Sequence, residues 1–448
     1  MQPASGTTHT DALIQPRLKT FDLTMIVAGL VIGMGIFRTP VEVAQKAGIP
    51  LVFFLAWITG AVVSLAGALT FAEIGSRYPV AGGFYKLFSR CYSPRIAFMV
   101  NWIIVISNAA STAGVVIMGA EYIVPVLFPQ WNHETATHIV AIATVLFLGG
   151  INLSGIKMSA RLLNVLMVIK ITLLAALIAS PFFINASVLS APATIADQSF
   201  DPFHAFLLCF IPVFFTYGGY QQTINFGSDI KNAPKNLPKA IILGMILVTI
   251  IYLAVNFAYY KVLGLTGIQG TTTLASDIMG MLFGGWARQI VSIFMFLSVM
   301  AFVNVSVMSN PRVYLAMAQD KILPDVFCKV NTRTQVPVTG VLVFCLFILI
   351  TLFFLSTFQH ILEFVMFFDS VSLITAAAAI FILRKRAAAE GEPTGIYKMK
   401  AYPLLPAFFI IVYSCVMIAV FIANMHLFLW GCLLFVLGYP LYNFVRRN

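Results

Sequence analysis

The chain has 448 residues, of which 60% are hydrophobic and only 10% charged, with a mean hydropathy of +0.94. A water-soluble globular protein carries about 25% charged residues and cannot hide this much apolar surface. The net charge of +11 does not point to nucleic acid, because the basic residues sit in short connections between apolar runs and form no patch interleaved with aromatics.

Apolar runs of about 20 residues suffice to cross a hydrocarbon core, and twelve are expected. The first six lie near 21–46, 51–76, 96–124, 137–153, 161–184 and 202–228. The other six lie near 239–261, 286–307, 337–357, 361–383, 403–423 and 427–444. The fold class is therefore an all-α membrane protein. Of the 27 Lys and Arg residues, all but Lys170, Arg38, Lys46, Lys261 and Arg288 fall on one side of this arrangement. Basic residues mark the cytoplasmic face, so both termini are expected there, in a cell membrane. The polar first 20 residues lack a cleavable signal pattern, which leaves the first span as the insertion signal.

Two connections are longer than the rest, Tyr78 to Arg95 inside and Gly264 to Gly285 outside. Each has room for a short amphipathic helix or for an ordinary structured loop. The six cysteines show no paired spacing and read as free thiols.

The first run contains Gly29-Leu30-Val31-Ile32-Gly33-Met34-Gly35-Ile36-Phe37-Arg38-Thr39-Pro40. Each glycine costs about 1 kcal/mol inside a helix and the proline about 3. Irregular backbone at membrane depth is tolerated where it is buried or lines a cavity. Five spans later Phe214-Phe215-Thr216-Tyr217-Gly218-Gly219-Tyr220 repeats the interruption. Matched breaks in two halves point to a binding site between repeats. Unwinding frees N–H groups at the start of an outer half-helix and carbonyls at the end of an inner one, which suit a carboxylate and an ammonium. A glycine pair alone would equally serve close helix packing; the match between two spans favours the site.

Lys170 lies about ten residues into the fifth run, hence ~15 Å deep. A charge there costs at least ~2.5 kcal/mol, so a functional lysine is favoured over one that snorkels to the interface. Arg38 follows the first break by one turn. It either closes an outer gate with Asp369 of the tenth span, pairs locally with Glu42, or meets an acidic substrate side chain. Phe215, Tyr217 and Tyr220 border the second break and shape the pocket, form a thin gate or simply pack. Asn108, Ser111 and Asn304 either face a central cavity or bond between helices. Glu73 is expected to pair with basic neighbours rather than to carry protons.

No His-rich metal spacing, nucleophile elbow or phosphate loop occurs, and His9, His133, His138, His204, His360 and His426 are too scattered to build a metal site. An enzyme is not expected, nor any cofactor or metal.

Val31-Ile32-Gly33-Met34-Gly35-Ile36-Phe37 resembles the signature of the amino acid-polyamine-organocation transporter superfamily. Ala72-Glu73-Ile74-Gly75-Ser76-Arg77-Tyr78-Pro79 with Ala81-Gly82-Gly83, Lys235-Asn236-Leu237-Pro238-Lys239-Ala240, and the stretch from Asn304 through Arg312 to Pro324 resemble its later segments. The similarity runs through the first ten spans and is nearest the L-type amino acid transporter branch. It implies a LeuT-like five-plus-five inverted repeat with discontinuous helices 1 and 6: a tail to residue 20, a first repeat over 21–184, a second over 202–385, and two peripheral helices with a short tail over 403–448.

The resemblance further implies that backbone at Gly33, Met34, Gly35 and Ile36 takes the substrate carboxylate. Carbonyls near Ile32, Phe214, Phe215, Tyr217 and Gly218 would take its amino group. Met34 stands where the family usually has a small hydroxyl residue, which removes a polar partner or narrows the pocket. A lysine at the place of Lys170 fills the region where sodium-coupled relatives bind a cation, its amine bridging the first span to the eighth. The function implied is secondary active amino acid transport by alternating access, as a sodium-independent exchanger or a proton-coupled carrier. The alternatives are a polyamine or amine carrier of the same fold and a non-transporting amino acid receptor. Light chains of this branch bind a heavy chain covalently, but the outer loop from Tyr122 to His138 has no cysteine, so no such partner is expected.

Overall fold

Prolines and small polar residues set where the helices begin. Pro50 and Pro94 occupy first-turn positions, where a missing N–H costs nothing. Ser93 and Asn132 accept hydrogen bonds from Ile96 N and Thr135 N, capping the helices that follow them. The computed structural model describes residues 16–183, 201–271, 273–354, 358–392, 394–423 and 425–447, with no side-chain description for 354–365 and for several positions beyond 421.

The first span is two helices, α1 (Thr20–Val31) and α2 (Gly35–Ala47), separated by three residues. There follow α3 (Pro50–Arg77), α4 (Gly83–Cys91), α5 (Pro94–Leu127), α6 (His133–Leu153) and α7 (Ile156–Ala179). The sixth span comprises α8 (Pro202–Leu208) and α9 (Phe210–Tyr217), continued by 3-10 turns over Tyr220–Asn225 and Gly227–Asp229. Next come α10 (Ala233–Gln269), α11 (Leu274–Phe283), α12 (Gly285–Ser309) and α13 (Pro311–Gln319). The chain closes with α14 (Val338–Phe354), α15 (Phe358–Glu390), α16 (Leu404–Ala423) and α17 (Met425–Arg447).

Among the described residues ten helical stretches are long and apolar enough to cross a bilayer, and α14 is a shorter apolar helix. With α17 these occupy the twelve expected places. Both long connections contain a helix, α4 in the first and α11 in the second. The expected run at 202–228 is α-helical only to Tyr217; beyond its glycines the chain does not resume as α-helix. No extended strand occurs among the described residues, but an isolated parallel bridge joins Leu18 to Ile230 and ties the start of the first span to the end of the sixth.

Burial follows position in the bundle. The apolar window of the broken first span is 72% buried, that of α16 only 28%. Helix α1 packs on α10, α7 and α12, while α16 and α17 lie against α3, α15 and α5. The two interrupted spans thus run through the protein interior, where their unpaired backbone groups are shielded from lipid.

The six cysteines are free thiols. Glu73, fully buried at the end of α3, accepts from Arg77 at 2.8 Å, Arg384 at 2.7 Å and the backbone N–H of Met399 at 2.8 Å. This satisfied network matches the pairing expected for it.

Candidate functional site

In the first break Ile32 leaves the helical region at φ −76°, ψ 78°. Gly33 N donates to Val31 O at 2.8 Å, so the chain turns and restarts as α2. Met34 stands at the N-cap of α2 without supplying a side-chain cap, and its carbonyl accepts from Phe37 N and Arg38 N. The N–H groups of Gly35 and Ile36 belong to the first turn and have no acceptor within the helix. With the helix dipole behind them they form a positive pole.

The second break has the opposite character. Helix α9 ends with its last carbonyls at the glycine pair, and Gly218 N turns back to Phe215 O at 3.2 Å. Gly219 has φ 111°, a conformation that L side chains rarely adopt. A Cβ on Gly219 would lie 2.3 Å from the Leu30 carbonyl oxygen, and one on Gly35 only 2.8 Å from the Thr216 side chain. The two breaks therefore cross at backbone contact, which requires glycine at both points. Tyr252 of α10 locks the crossing, its hydroxyl lying 2.9 Å from Val31 O and 3.2 Å from Thr216 O.

Lys170 is completely buried, and its ammonium donates to the Ile32 carbonyl. Helix α1 has no basic residue in its own last turn, so Lys170 supplies the cation that complements its negative end. The bridge expected from Lys170 to the eighth span is not made: among the described residues no group of α12 accepts from it, because the amine terminates on the first break.

Beside the crossing is a small cavity. Gly33, Met34 and Gly35 line it from the first break, and Phe215 and Gly218 from the second. Asn108 and Ser111 reach it from α5 and Asp369 from α15. The remaining expected residues lie elsewhere. Ile32 and Ile36 are fully buried and outside the lining, the Ile32 carbonyl being taken by Lys170. Phe214 packs its ring 5.3 Å from that of Tyr413, and Tyr217 lies 5.9 Å from Trp57 and 5.1 Å from Tyr252.

Three further expectations need correction. Tyr220 is no gate: it is buried against Gly67 and Phe71, so tightly that a Cβ on Gly67 would fall 2.0 Å from its hydroxyl. Asn304 does not face the cavity; it bonds Asn152 at 2.9 Å and the Ser159 carbonyl at 2.9 Å, joining α12 to α6 and α7. Asp369 and Arg38 do not share a pocket, since Asp369 lines the cavity itself and Arg38 does not.

The pocket also holds residues that the sequence reading passed over. Gln222, on the 3-10 turn, donates to Asn108 Oδ1 at 3.1 Å, while Asn108 Nδ2 donates to Asn310 Oδ1 at 2.6 Å. Thr112 and Ser306 share a hydrogen bond at 2.8 Å. The pairs Asn108/Thr112 and Ser306/Asn310 are each four apart in apolar helices, a spacing that places both polar groups on one face. That signal was available from the sequence. Gln222 and Tyr252 had none.

A positive N–H pole, facing carbonyls and a cavity between them fit a zwitterion. No cluster of metal-ligating side chains occurs among the described residues. The fold and site together define an amino acid carrier with broken helices. Residues 18–434 match the amino acid permease family, and the chain belongs to it, within the amino acid-polyamine-organocation superfamily and its L-type branch. It is 28% identical over 395 residues to the serine/threonine exchanger SteT of Bacillus subtilis, covering 86% of each chain. It is 27% identical over 346 residues to the large neutral amino acids transporter small subunit 2 of Rattus norvegicus, covering 73% of this chain and 62% of that one. Solute carrier family 7 member 13 of Mus musculus is 26% identical over 370 residues, with 80% and 75% covered.

Proposed function

We propose that this permease moves zwitterionic amino acids without sodium, exchanging one for another across a cell membrane with both its termini in the cytoplasm. The observation that carries this reading is Lys170: a fully buried ammonium hydrogen-bonded to the carbonyl at the end of α1. An ammonium in that place supplies the charge that a bound cation would otherwise bring to the end of a broken helix. The substrate carboxylate is held by backbone N–H groups of the first break at Met34 and Gly35, which line the cavity, and its ammonium by carbonyls where α1 and α9 end.

The segments 21–184 and 202–385 act as two repeats that move against each other, with 403–448 at the periphery. Arg38, on the outer half-helix, has the outer vestibule within reach and no place at the substrate. Exchange as the mode is supported by the named activity of the Bacillus subtilis relative. The outer loop from Tyr122 to His138 offers no cysteine to a second subunit, which supports a chain that works without a covalently linked heavy chain.

The test is counterflow of labelled amino acids in proteoliposomes, with sodium replaced by choline. Uptake at the same initial rate in both media is expected when unlabelled amino acid is trapped inside. Uptake that collapses in choline would sink sodium independence, and uptake that ignores internal amino acid would sink exchange.

A further inference from the structure

The cavity has two kinds of polar lining, and they differ in how far they are satisfied. The amide of Asn108 is bonded on both sides, to Asn310 and Gln222. Thr112 bonds Ser306 and its own helix at Asn108 O, and Thr216 bonds Pro212 O. These neutral groups use their hydrogen bonds on one another and brace α5, α12 and the sixth span. Two pocket side chains have no such partner among the described residues: the Ser111 hydroxyl and the Asp369 carboxylate, which is half-buried and joins no ion pair.

An ionisable residue within a membrane span is expensive and faces its partner or its ligand. Buried polar groups are partnered, and a carboxylate accepts up to about four hydrogen bonds. Asp369 also borders a second, smaller cavity with Asn108, Gln222 and Ser372, so it stands where the substrate pocket continues past the crossing. Both backbone poles, at Met34–Gly35 and at Phe215–Gly218, line the same cavity as Asp369. A bound amino acid with its carboxylate and ammonium on those poles therefore has its side chain in the one cavity that Ser111 of α5 and Asp369 of α15 also line.

We infer that Asp369 selects substrates carrying a second positive charge, on the side chain, so that the pocket takes cationic amino acids in preference to neutral ones of the same shape. The partner missing from Asp369 is supplied by the substrate: an ammonium or guanidinium donates to its carboxylate, with the Ser111 hydroxyl as a further acceptor. This rests on the amino acid carrier reading above and names its substrate class. Apolar Phe302, whose ring lies against Gly33, and Val115 of α5 line the same cavity and accommodate the methylene stem of such a side chain.

Arginine and citrulline have nearly the same shape and differ by one charge, so their competition is the direct probe. Purified full-length chain in proteoliposomes is loaded with a labelled amino acid, and its efflux is driven by external arginine or citrulline over a range of concentrations. The wild type is expected to show half-maximal exchange at an arginine concentration at least tenfold below that for citrulline. In Asp369→Asn the ratio falls to within threefold of unity, and in Asp369→Glu, which keeps the charge, arginine remains preferred. Equal competition in the wild type overturns the inference, as does an arginine preference that survives in Asp369→Asn. Should Asp369→Asn fail to reconstitute, the wild-type ratio and Asp369→Glu decide between the two outcomes. Exchange of neutral amino acids with no response to arginine defeats only this inference; no exchange with any amino acid defeats the carrier reading itself.

Discussion

The two breaks begin from the same sequence signal, glycines in an apolar run, and end as opposite chemical objects. The first interrupts for only three residues before α2 restarts, so what it presents to the cavity is a helix start with its donors unspent. The second never restarts as α-helix. After Gly219 it runs on in 3-10 turns that carry Gln221, Gln222 and Asn225 into the interior, where Asn225 Oδ1 receives the Phe84 N–H at 3.2 Å. It contributes acceptors and side chains. A glycine pair therefore specifies where a membrane helix opens but not which pole it shows; the direction of the half-helix that remains decides that.

The largest effect is expected where the two breaks touch. Gly219→Val places a side chain at φ 111°, with its Cβ 2.3 Å from the Leu30 carbonyl oxygen. Backbone on both sides leaves nothing that can move cheaply. Counterflow at matched reconstituted protein is expected to fall by roughly 100-fold, the order of loss that a 1 Å misplacement of a binding group can bring. Gly150→Ala in α6, where nothing lies within 4 Å, serves as the control and keeps the wild-type rate. Near-normal exchange by Gly219→Val would mean that the crossing is not required.

The glycines were legible because their cost in a helix is intrinsic: no neighbour is needed to see that Gly33, Gly35, Gly218 and Gly219 weaken an apolar run. Lys170 was legible for the same reason, its depth following from counting residues along one helix. What failed to show was anything decided by rotation about a helix axis. Asn304 and Asn108 look alike in sequence, yet one bonds α6 and the other lines the cavity, because their helices turn different faces inward. Tyr220 and Asp369 were misplaced similarly. Tyr252 was invisible altogether, as an ordinary aromatic in a long apolar helix whose hydroxyl finds two carbonyls brought together only by the fold.

Tyr252 is where the comparison between the breaks can be sharpened, since its one hydroxyl is shared by Val31 O and Thr216 O. Tyr252→Phe keeps the ring that packs on Trp57 and Tyr217 and removes only the tie. Leaving a buried acceptor unsatisfied costs about 1–3 kcal/mol. Apparent substrate affinity in counterflow is expected to weaken roughly tenfold, the equivalent of ~1.4 kcal/mol. An unchanged affinity would show that the glycine contacts alone hold the crossing.

The smallest effect is expected at Met34, although it sits at the centre of the first break. A serine at an N-cap usually stabilises a helix by about 1 kcal/mol, but it does so from extended backbone. Met34 has φ −78° and ψ −14°, already helical, so a hydroxyl introduced there is poorly aimed at the N–H groups of the first turn. If the donor pole consists of backbone, Met34→Ser changes apparent substrate affinity by no more than about threefold, which is under ~0.7 kcal/mol. A gain or loss of tenfold or more would place the side chain at position 34 among the groups that hold the substrate. The contrast between a donor break made of backbone and an acceptor break helped by side chains would then fall.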